Sequence, residues 1–347
     1  MKKFFITLLS LSLSAILLIL AGCGGATPLS FNNSFNGETP PSSDYTETLT
    51  YTVTNGDYND LVRSKDLSTE IVDFSTNGTL TVNFNICTKG DDDFPTQILE
   101  QTDIELEGKI YHLTSNLSLN SVYTVNGEGG GEKSEYVQSE VYFLTTESAF
   151  APIYSKVKQS YNVMLADSSD GKTTVSVDEV KNEYETLYKK DNYIINKLSE
   201  ENGKSNSYEY DFKSVIDNAQ LLFVLRNVSF EKTSNYSLPT VSPSYGIPKT
   251  LTVSNKEEVT KTLDVMVNGR QVNESLSVKN LSFYVNDNKN TGTPQYVSIQ
   301  KSESSNKGIP NKAFMTEYAQ SLICYGSFTS MGALIYKLSS IEYKINN

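Results

Sequence analysis

The sequence predicts a mainly β protein: an antiparallel curved sheet or half-barrel with one short helix packed against it. Three observations carry this. Leu49, Tyr51 and Val53 alternate with Thr48, Thr50, Thr52 and Thr54, and Leu80–Ile86 repeats the alternation, the period of a half-buried strand. Asn268-Gly269 stands between two such stretches, a strong hairpin signal. Against them, Asp217–Arg226 is the best helix: Asp217 is placed to cap it, and Leu221, Leu222 and Leu225 form one apolar face.

In chain order, strands are expected to begin near Glu47. Ile104, Leu106 and Ile110 share a parity across Gly108, read as a strand with a bulge. Further strands are expected at Ser121–Val125 and Tyr136–Thr145, joined by a glycine-rich loop over Gly127–Glu132, making the first half an antiparallel meander. Ala151-Pro152-Ile153-Tyr154 reads as a junction, because proline disfavours central sheet positions. Lys156–Leu165 reads as another strand. Residues 177–198 fit a helical stripe through Val177, Val180, Tyr184 and Leu187, but β-propensity and context favour strands. After the helix, Pro239, Pro243 and Pro248 mark a loop. The Thr260–Val267 and Arg270–Val278 hairpin follows, then strands at Ser282–Val285, Gln295–Gln300 and Leu334–Leu338. Ile341, Tyr343 and Ile345 alternate at the end.

The first residues are of a different kind. Lys2 and Lys3 precede an apolar stretch from Phe4 to Leu20, short of a comfortable membrane span and interrupted by Thr7, Ser10, Ser12 and Ser14. It closes in Leu20-Ala21-Gly22-Cys23, which resembles the lipobox of bacterial lipoproteins. The resemblance implies that Cys23 is lipidated and becomes the first residue of a mature, extracytoplasmic chain tethered to a bacterial membrane. Two or more acyl chains hold a protein stably at about 0.8 kcal/mol per buried methylene. The expected organisation is a signal peptide at 1–22, a flexible tether at 23–46 rich in Gly, Ser, Thr, Asn and Pro, and a β-rich domain at 47–347. Its two halves would meet near 150–230.

Charge and cysteine content narrow the function classes. The chain of 347 residues has a net charge of −12, or −14 once Lys2 and Lys3 leave with the signal. That acidity argues against nucleic acid and anionic headgroups as partners, which require clustered Lys and Arg. Besides Cys23 there are Cys87 and Cys324. Two separate thiols is the preferred reading and a disulfide the alternative. Cys87 has the opposite parity from Leu80, Val82, Phe84 and Ile86, so a regular strand points it away from their face.

No motif for chemistry survives inspection. His112 is the one histidine, too few for an imidazole zinc site, and reads as structural within Ile110–Leu113. Asp91-Asp92-Asp93 reads as a solvated charge run, since adjacent carboxylates do not encircle an ion. Asn286, Asn288 and Asn290 have calcium-loop spacing, but Thr291 stands where glycine is needed and Val297 where the distal glutamate belongs. The glycine run at 127–132 carries two acids and no helix start, unlike a phosphate cradle. Asn-x-Ser/Thr triplets at Asn77, Asn116, Asn227, Asn273 and Asn280 reflect composition. Arg226 is expected to satisfy the helix C-terminus, with a buried ion pair as the lesser alternative. The 22 tyrosines are expected in core and sheet surface. No catalytic residue, cofactor or metal site is expected.

The order of strands, the Pro152–Lys156 junction, the Asp217–Arg226 helix and strands ending in Gly332–Lys344 resembles exported bacterial proteins of unknown function distantly similar to the LolA/LolB lipoprotein carriers. Asp217-Asn218, Leu221-Leu222-Phe223 and Arg226 carry most of that resemblance. It implies a half-barrel whose apolar cavity is closed by a short helix, and it supplies no catalytic residues. The expected function is therefore a non-enzymatic cell-envelope lipoprotein, its partners the membrane and an apolar small molecule such as a lipid. Two alternatives stay open: an interaction or adhesion module binding protein or glycan, with an exposed aromatic patch, and a hydrolase with two converging carboxylates.

Overall fold

The computed structural model describes residues 27–28, 46–55, 72–92, 94–107, 109–125, 128–145, 150–169, 172–190, 193–198, 205–209, 215–226, 235–242, 248–285, 296–300, 322–329 and 332–344. Its strands are β1 (Thr27–Pro28), β2 (Thr46–Asn55), β3 (Val72–Cys87), β4 (Ile110–Val125), β5 (Glu128–Thr145), β6 (Phe150–Ser169), β7 (Lys172–Lys189), β8 (Tyr193–Leu198), β9 (Ser205–Glu209), β10 (Ile216–Asp217), β11 (Asn235–Val241), β12 (Pro248–Val267), β13 (Arg270–Val285), β14 (Tyr296–Gln300), β15 (Leu322–Thr329) and β16 (Gly332–Lys344). The helices are α1 (Thr96–Gln101) and α2 (Leu221–Leu225), the latter entered through a 3-10 turn at Asn218–Gln220. The fold is the expected one: a large curved sheet, mainly antiparallel, with a short helix against it.

All sixteen strands join one sheet. From β2 to β9 it is a meander, each strand antiparallel to the next. On the other side of β2 the order is β16, β15, β14, β13, β12, β11, and the end of β12 returns to β16 through Met266↔Ser340 and Val267↔Ile341. That parallel contact curls the sheet. The backbone N–H of Asn268 donates to the Ile341 carbonyl (2.9 Å) and the N–H of Tyr343 to the Asn268 side chain (2.8 Å), so the hairpin tip grips the last strand. The turn is the primed kind its sequence asked for, with φ of 45° at Asn268 and 77° at Gly269.

Period-two alternation places the larger core on the concave face: Leu49, Tyr51 and Val53 of β2, Leu80, Val82, Phe84 and Ile86 of β3, Tyr111, Leu113 and Leu119 of β4, and Val141 and Phe143 of β5. A second core lies on the opposite face. The excursion between β3 and β4 folds back over the sheet, so Phe94, Ile98 of α1 and Leu106 pack with Cys87, Ile110, Tyr142, Ile153, Tyr154 and Leu187. Cys87 does point away from its apolar neighbours on β3, as its parity requires, and is buried anyway. It is a thiol, not half of a disulfide, and donates to the Ile110 carbonyl at 3.5 Å.

Several expectations are corrected, each for a local reason. Ile104 and Leu106 belong to the excursion and not to a strand; Ile110 opens β4. The glycine-rich stretch is strand from Glu128 onward, and the register slips between Tyr123 and Thr124, where Gly131 adopts φ 110°. Pro152 does not interrupt β6. The β5–β6 register shifts between Tyr142 and Phe143, so the proline sits at a bulge that turns both Ile153 and Tyr154 into the second core. The strand reading of 177–198 holds where that span is described, in β7 up to Lys189 and in β8 from Tyr193. Pro239 lies in β11 and Pro248 opens β12, so neither is in a loop, while Pro243 lies outside the described residues. A bulge at Ser339 lets Leu338 and Ile341 both face the core. The Asn286–Asn290 stretch, the leader at 1–22 and Cys23 lie outside the described residues. Within the expected tether, Thr27–Pro28 pair in parallel with Tyr236–Ser237.

Gly78 sits where β3 and β4 approach closely. A Cβ there would stand 2.2 Å from the Ser118 carbonyl oxygen and 2.7 Å from a Leu119 methyl. Gly78→Ala is expected to destabilise by about 1–3 kcal/mol through overpacking, read as a lower urea midpoint. Gly90→Ala, where a Cβ meets nothing within 4 Å, is expected to leave the midpoint near wild type.

Candidate functional site

The side chains with the most unusual environments gather around α2. Its sequence, Leu221-Leu222-Phe223-Val224-Leu225, is apolar throughout, and all but Leu222 are buried. This corrects the one-faced helix expected: a helix lying inside a curved sheet is contacted on nearly every side. It is also shorter, because β10 and the 3-10 turn take up the first residues of the expected span.

Phe223 is the centre of contact. Its ring stacks on Phe84 (4.7 Å, 15°) and meets Phe143 (5.4 Å, 57°) and Phe150 (6.1 Å, 88°), while Tyr111 stacks between Phe84 (5.6 Å) and Phe143 (5.5 Å). Each such pair is worth about 0.5–1.5 kcal/mol beyond the area it buries. Alternation on β3, β4 and β5 puts Phe84, Tyr111 and Phe143 on one face.

Polar groups hold both ends. Asp217, fully buried, caps the 3-10 turn by accepting the Ala219 N–H (2.7 Å), as its sequence position predicted, and also accepts hydroxyls from Tyr188 (2.6 Å) and Ser155. Burial pushes its carboxyl above the ordinary 3.8, with those three donors opposing. Gln220, also buried, donates to the Phe150 carbonyl at 2.9 Å. Among the described residues, Gln220 Oε1 and Asn218 Oδ1 are buried with no hydrogen-bond partner.

At the far end Arg226 departs from expectation. Its backbone N–H closes the helix on the Phe223 and Val224 carbonyls, but its guanidinium crosses to Glu47 on β2 as a two-point ion pair, Nη1–Oε2 2.7 Å and Nη2–Oε1 3.2 Å. Both side chains are about 2% exposed. The lesser alternative, a buried pair, is the one realised, because the carboxylate lies within the concave face beside the helix end. Glu47 was missed, though a signal existed: it shares the parity of Leu49, Tyr51 and Val53, all inward.

Between the pair and Phe223, Leu49, Tyr51, Val82, Phe84, Leu113 and Leu222 enclose a gap of about 10 Å³ of solvent-sized space, room for one water and not for an acyl chain. Most of the concave face is covered by α2.

The other expected positions are structural. His112 Nε2 lies 2.8 Å from Glu140 Oε1, its ring stacked 4.2 Å from Tyr142. That contact, with the Tyr142 hydroxyl, holds the Glu140 carboxyl below its ordinary range against burial. Asp91 accepts the Thr88 N–H (2.7 Å) and hydroxyl (2.9 Å), a local turn that lowers its pKa; Asp92 is exposed, and Asp93 lies outside the described residues. Glu135 is raised by burial and accepts the Asn162 N–H at 2.6 Å. No group of three or more metal-ligating side chains occurs among the described residues. The exposed large apolar side chains among them, Leu99, Val122 and Met266, sit on three different elements and none is aromatic.

No family model matches the chain, and no curated protein matches it. Among solved structures, the chain is similar to a beta-barrel-like protein of the domain of unknown function DUF1849 from Brucella abortus. The identity is 9% and the TM-score 0.48, with 87% of this chain and 98% of that chain covered. The fold described above rests on this chain's own strand pairings.

Two outcomes test the anchoring of α2. Removing one partner of a buried pair strands the other charge, so Arg226→Met is expected to cost about 3–5 kcal/mol, while Glu47→Leu combined with Arg226→Met recovers most of that loss; urea unfolding of the wild type and the two variants reads this directly. For Asp217 the folded pKa lies above the unfolded one, so its contribution is fully present below the ordinary value and is lost as pH rises through the folded value. The stability difference between wild type and Asp217→Asn is therefore expected to shrink as pH rises from about 4. A pH-independent difference contradicts it.

Proposed function

We propose that this chain is a non-enzymatic, lipid-anchored protein of the bacterial cell envelope whose half-barrel takes up an apolar ligand, such as a lipid, in the place α2 occupies. The observation that carries the ligand reading is α2 itself: five consecutive apolar residues laid on an aromatic floor and pinned by polar contacts at each end. So short a helix has little stability of its own; it is ordered by the surface it covers. Moving it aside uncovers an apolar trough floored by Phe84, Tyr111, Phe143 and Phe150. The two unpartnered acceptors of Asn218 and Gln220 favour that motion, since each costs about 1–3 kcal/mol while buried.

The anchor reading rests on Lys2-Lys3, the apolar stretch after them and Leu20–Cys23. The buried carboxylates Glu47, Glu135 and Asp217 are each taken up by donors of their own, as groups that hold a fold together are.

Cys23→Ser is expected to move the protein from the membrane to the soluble fraction; retention contradicts the anchor. The folded protein is expected to bind N-phenyl-1-naphthylamine saturably, and Glu47→Gln, which weakens the hold on α2, to bind it more tightly. No saturable uptake by either folded protein contradicts the ligand reading and leaves α2 as core.

A further inference from the structure

Beside α2 the concave face changes character. We infer that the ligand taken up in place of α2 is an amphiphile with an uncharged, hydroxyl-bearing head, and that this head sits on the β4–β7 part of the concave face next to the trough. The inference rests on the reading that the trough takes up an apolar chain, and it names the class of molecule that carries the chain.

The register of the sheet lays out the floor. Residues directly opposite one another on neighbouring strands share a face, so the concave face can be followed in rows. The row under Phe223 has Phe84 opposite Leu113 and Leu113 opposite Val141, all buried. In the next row Val82 stands opposite Ser115, Ser115 opposite Ser139 and Ser139 opposite Val157. In the row after that Leu117 stands opposite Val137, Val137 opposite Gln159 and Gln159 opposite Asn182. Successive rows are about 7 Å apart, so a head over the second and third rows lies directly beside a chain over the first.

Cover falls away in the same direction. Ser115, Leu117, Val137, Ser139, Gln159 and Asn182 are half-buried, unlike the row under Phe223. Leu222 of α2 and Val82 both border the one-water gap, so the partly open rows begin where α2 stops.

The chemistry of these rows is neutral. The Ser115 and Ser139 hydroxyls bond to each other at 2.6 Å, and each oxygen keeps acceptor capacity for a ligand hydroxyl. Gln159 and Asn182 each bring a carbonyl oxygen and an NH2 group, and Leu117 and Val137 give aliphatic contact between them. Neither row contains Lys or Arg. The Arg226 charge is already met by Glu47, and Lys133 stands two rows further on, past the buried Glu135. A phosphate head placed here would leave water without a cation to meet it, which is costly. A head of hydroxyls would find donors and acceptors in kind.

Displacement of N-phenyl-1-naphthylamine from the folded protein tests this with three amphiphiles of one chain length: dodecyl maltoside, dodecylphosphocholine and dodecyl phosphate, each below its micelle concentration. Dodecyl maltoside is expected to displace the dye at about a tenfold lower concentration than either phosphate, the effect of about two net hydrogen bonds. Gln159→Leu combined with Asn182→Leu is expected to keep dye uptake and to cut that preference below about threefold. Gln138→Leu, on the other face of β5, is expected to retain it in full. Equal displacement by the three amphiphiles from the wild type overturns the inference, whatever the stability of the double variant, and leaves the trough reading standing. A preference that survives in the folded double variant overturns it equally. No dye uptake by the wild type or by Glu47→Gln overturns the trough reading itself, and the inference falls with it.

Discussion

The contact on which the arrangement depends joins residues 179 positions apart: the two-point pair of Arg226, at the end of α2, and Glu47, near the start of β2. It fastens the one short helix inside the curved sheet to the strand at the sheet's centre, between the meander and the strands that curl back. A buried pair of this kind contributes little net stability against an apolar alternative, because desolvating two charges offsets their attraction. Its effect is selective. An apolar helix could slide along an apolar floor at little cost, but a guanidinium in a dry interior has one seat where its charge is met.

Asp217 plays the corresponding part at the other end, drawing in Ser155 from β6 and Tyr188 from β7. Between these anchors the stabilisation is undirected: Phe223 and its neighbours bury apolar area at about 25 cal/mol per Å². The sheet itself is packed on both sides. Bulges at Pro152–Tyr154 and at Ser339 each shift the alternation by one residue, so that Ile153 and Tyr154 share the second core and Leu338 and Ile341 share the larger one.

Much of the fold was legible. Strict alternation in Leu49–Val53 and Leu80–Ile86, the Asn268-Gly269 turn and the Asp217 cap all declare themselves locally, and the structure places them as expected. Alternation also foretold the direction of Cys87. Readings failed where a tertiary feature overrides a local rule. Proline at 152 and glycines at 129–131 signal breaks, yet a bulge accommodates each within a continuous strand. The helix α1, six residues behind Pro95, is too short to display a period, and its burial comes from the sheet face beneath it. Of the site, Asp217, the apolar helix and Arg226 were readable; the ion pair was not, because it requires knowing that the strand at Glu47 passes beneath the helix end. The inward parity of Glu47 was the one available clue.

The central claim is that α2 is a separable plug and not simply part of the core, and native-state hydrogen exchange of its backbone amides tests this most directly. The account predicts that the N–H groups of Phe223–Arg226 exchange through a local opening, with a markedly lower free energy than the amides of Leu80–Ile86 and Leu113 beneath them. Protection of α2 equal to that of those strands would mean that the helix leaves only when the whole domain unfolds, and would contradict the account.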